Sequence, residues 1–183
     1  FSSKYGFPPI SRDNIRYDKS LGGGILNDAG CYPINASRML FESEPRGVFC
    51  NLTMDKETQV DTKATLLMDF DDGKQSQSSV GYDLDYQSNY RLWASDGSLS
   101  LTRAYNIPPD MQARLNIKNN STEKEILIEP VNHFQLMVES FSKELIKSNS
   151  CKYNFEEDLL NQAKVMEACR ISHDEKRYVE TKE

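Results

Sequence analysis

From Val48 onward the chain alternates apolar and polar side chains with a period of two, and that spacing leaves few folds open. Val48, Cys50, Leu52 and Met54 interleave with Phe49, Asn51 and Thr53. Ala64, Leu66, Met68 and Phe70 interleave with Thr65, Leu67 and Asp69. A helix built on this spacing would scatter its apolar groups around the axis, whereas a strand gathers them on one face. Asp71-Asp72-Gly73 and Ser95-Asp96-Gly97 are hairpin turn signals. Further strands are expected over about 74–84, 87–94, 98–103, 112–118 and 124–129. Pro108-Pro109 marks a loop and Asn119-Asn120-Ser121 another turn.

Two helices are expected to follow the strands. One runs from about Asn132 to Lys147, with Phe134, Met137, Val138, Phe141 and Leu145 on one face. The other runs from about Glu156 to His173, with Leu159, Leu160, Ala163, Val165, Met166 and Cys169 apolar. Asn132 and Asn154 are candidate caps, and Tyr178-Val179-Glu180 a short closing strand. Linked hairpins with segregated helices define an α+β fold. Its open, mainly antiparallel sheet should carry helices packed on one face, as a two-layer sandwich. The 183 residues suit a single domain, 1–183, large enough to bury a core.

The N-terminal part reads differently. Residues 1–3 resemble the end of a strand, and residues 4–20, with Pro8-Pro9, a long loop. The stretch Ser20-Leu-Gly-Gly-Gly-Ile-Leu-Asn-Asp-Ala-Gly-Cys-Tyr-Pro-Ile-Asn35 then feeds a glycine-rich turn into a helix over about Gly24–Phe41, kinked at Pro33. Residues four and seven apart share a helix face, so Asp28, Tyr32 and Asn35 project together. Gly24, one turn earlier, lets a bulky flat ligand approach the backbone. The glycine run is not a dinucleotide fingerprint, because the third position after Gly24 is Asn27.

Each of these residues also has a plain reading. Asp28 suits the positive end of a helix dipole, Tyr32 a packing contact, and Asn35 a solvated amide. Arg12 and Arg16, in the long loop, are surface cations or ligands for a phosphate or carboxylate. His133, just past a helix cap, reads as structural, and His173 sits near a helix C-terminus where a cation is favourable. Trp93, Tyr82, Tyr86 and Tyr90 pack, fill an interface or form a sugar-stacking platform.

Taken together, Gly23-Gly24, Asp28, Tyr32, Arg38-Met-Leu-Phe41 and Glu44-Pro45 resemble the start of the C-terminal domain of the glucose-fructose oxidoreductase / inositol dehydrogenase / MocA (Gfo/Idh/MocA) family. Tyr in place of His at position 32 is similar to the dihydrodiol dehydrogenase, xylose dehydrogenase and sugar-nucleotide ketoreductase branches. Arg91-Leu-Trp-Ala-Ser-Asp-Gly-Ser-Leu-Ser-Leu101, Asn132-His-Phe134 and Glu156-Glu-Asp-Leu-Leu-Asn161 follow in the family's order, so the likeness covers nearly the whole chain. The resemblance implies a substrate-binding and dimerising domain of an oxidoreductase that moves hydride to or from a sugar, sugar nucleotide or polyol. Asp28 and Tyr32 would be catalytic, Tyr32 exchanging the proton, with Asn35, Arg16 and Arg12 on the substrate. NAD or NADP would be bound mainly by an N-terminal Rossmann domain that this chain lacks. That domain also carries the family's catalytic Lys, and Gly24 would offer the cofactor only close approach. On this reading the isolated chain is inactive. The contrasting hypothesis is a non-enzymatic module that dimerises or binds partners through its sheet.

Composition narrows the partners. With 22 basic against 28 acidic residues the net charge is −6, and no basic run marks a nucleic-acid footprint. No apolar stretch reaches the roughly 18–20 residues of a membrane span. Four widely spaced cysteines and two histidines do not form a zinc pattern, and the cysteines read as reduced and cytoplasmic. The chain opens at Phe1 with neither Met nor leader pattern, which reads as an excised domain. A hydrophobic fraction of 38 % points to burial completed against another domain or a second copy, and a homodimer through the sheet is the expectation.

Overall fold

The alternation delivers its sheet. The computed structural model describes residues 1–146 and 153–181; Lys147, at the expected end of one helix, and Cys151 lie outside them. In chain order the strands are β1 (Ser2–Gly6), β2 (Gly47–Met54), β3 (Asp61–Asp69), β4 (Gln75–Gly81), β5 (Gln87–Ala94), β6 (Gly97–Leu101), β7 (Ala113–Asn119), β8 (Glu123–Ile128) and β9 (Val179–Glu180). Among the described residues they form one sheet in the order β8-β7-β6-β5-β1-β4-β3-β2-β9. Asp72 and Gly73, both at positive φ, close the β3–β4 hairpin, and Ser95-Asp96 links β5 to β6. At the next turn the Asn119 carboxamide accepts the backbone N–H groups of Ser121 and Thr122.

β1 departs from the sequence reading, which ended the strand at residue 3. It runs to Gly6 in mid-sheet, antiparallel to β5 and parallel to β4, with Tyr5 beside Val80 and Ser88. Its neighbours lie more than 70 residues away, so no local turn signal announces the pairing. The following loop is also less open than expected, carrying short 3₁₀ turns at Ile15–Tyr17 and Lys19–Leu21.

Three helices accompany the sheet: α1 (Cys31–Phe41), α2 (His133–Ile146) and α3 (Phe155–Glu175). The expected helix from Gly24 is instead a π-helical turn, Leu26–Gly30, joined to α1. Proline at 33 has no N–H to return to Ala29, so the preceding turn widens and the Cys31 N–H reaches the Leu26 carbonyl. α1 and α3 cover one face of the sheet. Leu26, Ile34, Val48, Leu66, Met68, Val165 and Cys169 fill the space between them. A second cluster, rich in tyrosine, lies under the π-turn: Tyr5, Tyr17, Val80, Tyr82 and Tyr105.

Buried Arg38 fastens α1 to α3. It donates to both oxygens of Glu44 at 2.6 and 2.8 Å, to Gln162 at 2.8 Å, and pairs with Asp158 at 2.9 Å. The Arg38…Glu44-Pro45 part of the motif is therefore architectural. Asn154 caps α3 by accepting from the Glu157 N–H while Glu157 receives its amide, a reciprocal cap. Asn132 likewise accepts from the Gln135 N–H. His173 accepts the Leu52 N–H and ties α3 to β2, and His133 meets the Ile107 carbonyl.

α2 is the part of the two-layer picture that departs from expectation. None of its described residues is buried, and Phe134, Met137, Val138 and Leu145 are all exposed. The far face of the sheet is mostly polar, with Lys4, Asn51, Thr65 and Gln77 around Phe49 and Leu67. Met68 and Tyr82 lie wholly in the core, whereas Trp93 is 86 % exposed.

Candidate functional site

The glycine run sets the site's geometry by locking the loop before it. Gly24 donates its N–H to the Arg16 carbonyl at 3.0 Å and Gly23 to the Asp18 carbonyl at 2.9 Å. A Cβ on Gly23 would stand 2.6 Å from the Arg16 oxygen. At Gly24, φ +118, a Cβ would run into the Asp61 carboxylate. The close approach that the sequence reading reserved for a flat ligand is thus made by Asp61. Asp61 uses it to accept the Leu26 N–H at 2.6 Å, supplying the π-turn with an N-terminal acceptor from β3.

With the loop so held, Arg16 lies over the π-turn. Its Nε donates to Asp28 Oδ2 at 2.7 Å. The Tyr82 hydroxyl, from just beyond β4, donates to the same oxygen at 3.3 Å. Asn14 steadies Arg16 by accepting its backbone N–H at 3.1 Å. Arg12 is engaged elsewhere: it pairs with Asp55 at 2.8 Å and lies over the Tyr17 ring. Of the two arginines, only Arg16 is brought to Asp28.

Tyr32 stands on α1 just past the π-turn, 41 % exposed, edge-on to Tyr5 and tilted against Tyr105. Burial raises its phenol above the ordinary value of 10, the Cys31 thiol and the Asp28 charge add to that, and Arg16 pulls the other way. Tyr82 is raised further, by burial first and then by Asp28, so it remains a hydrogen-bond donor. Tyr32 and Asn35 line a cavity of about 400 Å³ walled by Tyr90, Tyr105, Met39 and Gln162. Gln162 is already committed, donating to the Cys31 carbonyl and accepting from Arg38. A larger cavity, about 790 Å³, lies between α1, α2 and the start of α3; it shares Asn35 and Met39 but contains neither Asp28 nor Tyr32. Chemistry favours the smaller one, which the Tyr32 phenol and the Asn35 amide line; Asp28 is not among its walls but lies close enough to Tyr32 for its charge to act on the phenol.

The structure therefore brings Asp28, Tyr32 and Arg16 into one neighbourhood, with Asn35 along the wall. Sequence reasoning missed Asp61 and Tyr105, and gave Tyr82 a packing, interface or sugar-stacking role, not that of a donor to Asp28. Tyr105, from the segment after β6, walls the cavity and packs against the Tyr32 ring while its hydroxyl meets Ser3 at 2.9 Å, and nothing in its local sequence signals that. Tyr86 lies between β4 and β5 under Arg103, not within a strand. Among the described residues no group of His, Cys, Asp and Glu is arranged to hold a metal ion, and no helix is long and apolar enough to cross a membrane.

A family model described as the GFO/IDH/MocA C-terminal domain matches residues 1–100. D-xylose 1-dehydrogenase (NADP(+)) 2 of Haloferax volcanii is 27 % identical over 151 residues, 82 % of this chain and 46 % of that protein. The dTDP-3,4-didehydro-2,6-dideoxy-alpha-D-glucose 3-reductase of Saccharopolyspora spinosa is 26 % identical over 173 residues, 92 % of this chain and 52 % of its own length. Among solved structures, a 3-ketoreductase from Actinomadura kijaniata in complex with NADP and TDP-benzene superposes with a TM-score of 0.83 at 25 % identity, covering 93 % of this chain and 52 % of that one. The chain thus spans about half the length of the curated relatives it matches.

Proposed function

The chain belongs to the Gfo/Idh/MocA oxidoreductase family through its C-terminal domain, and from that premise we propose that it is the substrate-binding and oligomerising part of an NAD(P)-dependent dehydrogenase or reductase. The substrate is a sugar, sugar nucleotide or polyol, and the reaction is hydride transfer to or from a carbon bearing OH or C=O. The observation that carries this reading is that Tyr32 and Asn35 line a tyrosine-walled cavity while the Asp28–Arg16 pair lies close enough for its charges to act on the Tyr32 phenol. The relatives are xylose dehydrogenase and sugar-nucleotide ketoreductases, the branches with which Tyr32 agrees.

The residues divide the work by their chemistry. A phenol held above its usual range is protonated near neutral pH, so Tyr32 is ready to give a proton to a substrate carbonyl oxygen. In the oxidising direction it must accept one, and a nearby cation favours that; Arg16 already acts in this sense. Asp28 takes a hydroxyl or an incoming ammonium, and Asn35 can both donate and accept. The phosphates of a dinucleotide do not fit the glycine run. The N–H groups of Gly22, Gly23 and Gly24 are spent on the carbonyls of Lys19, Asp18 and Arg16. The proposal therefore puts nucleotide binding mainly on a Rossmann domain outside these residues and routes no step through the cofactor.

In the full-length protein, Tyr32→Phe is expected to lower turnover by roughly 10²–10⁴, the scale of a positioned acid or base, with a much smaller change in substrate affinity. Turnover within a few-fold of the parent would make Tyr32 a packing residue. The same reading assigns the uncovered face of the sheet to a homodimer related by a two-fold axis. Phe49 and Leu67, paired across β2 and β3, would lie at its centre. Light scattering at micromolar concentration should give twice the protomer mass, and Leu67→Lys should halve it. A monomer mass for the parent would remove the assignment.

A further inference from the structure

We propose that Tyr82 and Arg16 are positioning residues of this site. Together they hold Oδ2 of Asp28 and leave Oδ1 as the one acceptor that the carboxylate offers to a donor from outside the described residues. The inference rests on the Asp28–Tyr32 reading above and adds residues to it.

Two donors converge on a single oxygen, Arg16 Nε at 2.7 Å and the Tyr82 hydroxyl at 3.3 Å, and no described residue donates to Oδ1. A carboxylate held at one oxygen by donors from two different elements loses its freedom to rotate. One comes from the loop locked by Gly23 and Gly24, the other from just beyond β4. The Asp28 side chain keeps 23 % of its surface exposed, so a ligand can reach it. Tyr82 is 0 % exposed, with its ring against those of Tyr17 and Phe7. For packing alone, phenylalanine would fill the same space without a hydroxyl to desolvate. The hydroxyl is explained by the carboxylate it meets. Arg16 commits its Nε to Asp28, and its backbone is fixed through Asn14 and Gly24.

The test uses the full-length protein. In a crystal structure of Tyr82→Phe the Asp28 carboxylate is expected to rotate or to split into two orientations, with melting temperature close to the parent's. A carboxylate unmoved in both Tyr82→Phe and Arg16→Gln overturns the proposal whatever the kinetics. With NADP and D-xylose as the first probe, Tyr82→Phe should lower kcat roughly 10-fold, the scale of one hydrogen bond to a charged group, with KM within about twofold. Arg16→Lys should recover part of what Arg16→Gln loses. Tyr82→Phe added to Asp28→Asn should cost nothing more, which a merely structural tyrosine would not show. Fully additive losses count against positioning. Failure of the underlying site looks different: Asp28→Asn and Tyr32→Phe would then both turn over like the parent, even where the carboxylate moves in Tyr82→Phe.

Discussion

Replacing Arg38 with Met should cost the chain about 2–3 kcal/mol. The Arg38 side chain is 4 % exposed, whereas its partners Glu44 and Asp158 keep 37 % and 32 % of theirs. Breaking a buried ion pair costs roughly 3–5 kcal/mol when the abandoned charge stays buried. Both carboxylates at this site can turn toward water, which recovers part of that. Methionine also refills the aliphatic volume, so the loss is mainly the charge-assisted hydrogen bonds between α1, α3 and the Glu44-Pro45 turn. In a domain of this size each kcal/mol shifts the melting temperature by about 2–4 °C, giving a drop of roughly 5–10 °C. Urea denaturation followed by circular dichroism, with the slope unchanged, measures the difference directly. Arg38→Lys keeps the charge but loses the fork and should fall between the two. A loss below about 0.5 kcal/mol for Arg38→Met would show that the network holds nothing the packing does not.

Two further outcomes follow from the loop and the β2–β3 turn. Gly23→Ala puts a methyl group against the Arg16 and Asp18 carbonyls. It should destabilise by roughly 1–3 kcal/mol, the usual scale of overpacking, and the 2.7 Å Arg16–Asp28 contact should lengthen in a crystal structure of the variant. The backbone N–H of Thr58, then Arg12, hold the Asp55 carboxyl down at about 2, below its ordinary 3.8. A depressed acid contributes stability that is fully present above its unfolded value and lost as pH falls through the folded one. Melting temperatures of the parent and Asp55→Asn should therefore differ most above pH about 4 and converge as pH falls toward 2. A gap that stays constant across that range would refute the assignment.

The sequence by itself determined what depends on neighbours a few residues apart. The period of two placed β2 and β3 and put Val48, Cys50, Leu66 and Met68 on one face. Asp72-Gly73 and Asn119 fixed hairpins because their backbone and side-chain chemistry suits tight turns. Asn132 and Asn154 set helix starts, and Gly23-Gly24, Asp28 and Tyr32 carried the likeness to the family. Only the tertiary structure decided the rest. It slid β1 between β4 and β5, one pairing parallel and one antiparallel. It turned the expected start of the helix into a π-turn with its acceptor on Asp61, 35 residues from Leu26. It joined Asp28 to Arg16 and Tyr82 across 12 and 54 residues. Periodicity reports which side of an element is apolar, but not which distant element will cover it. Long-range pairings form only when closing the intervening chain is outweighed by packing and hydrogen bonds that exist in the assembled fold. Tyr82 shows the difference: in the sequence a tyrosine to pack, fill an interface or stack on a sugar, and in the folded chain a second donor to the Asp28 carboxylate.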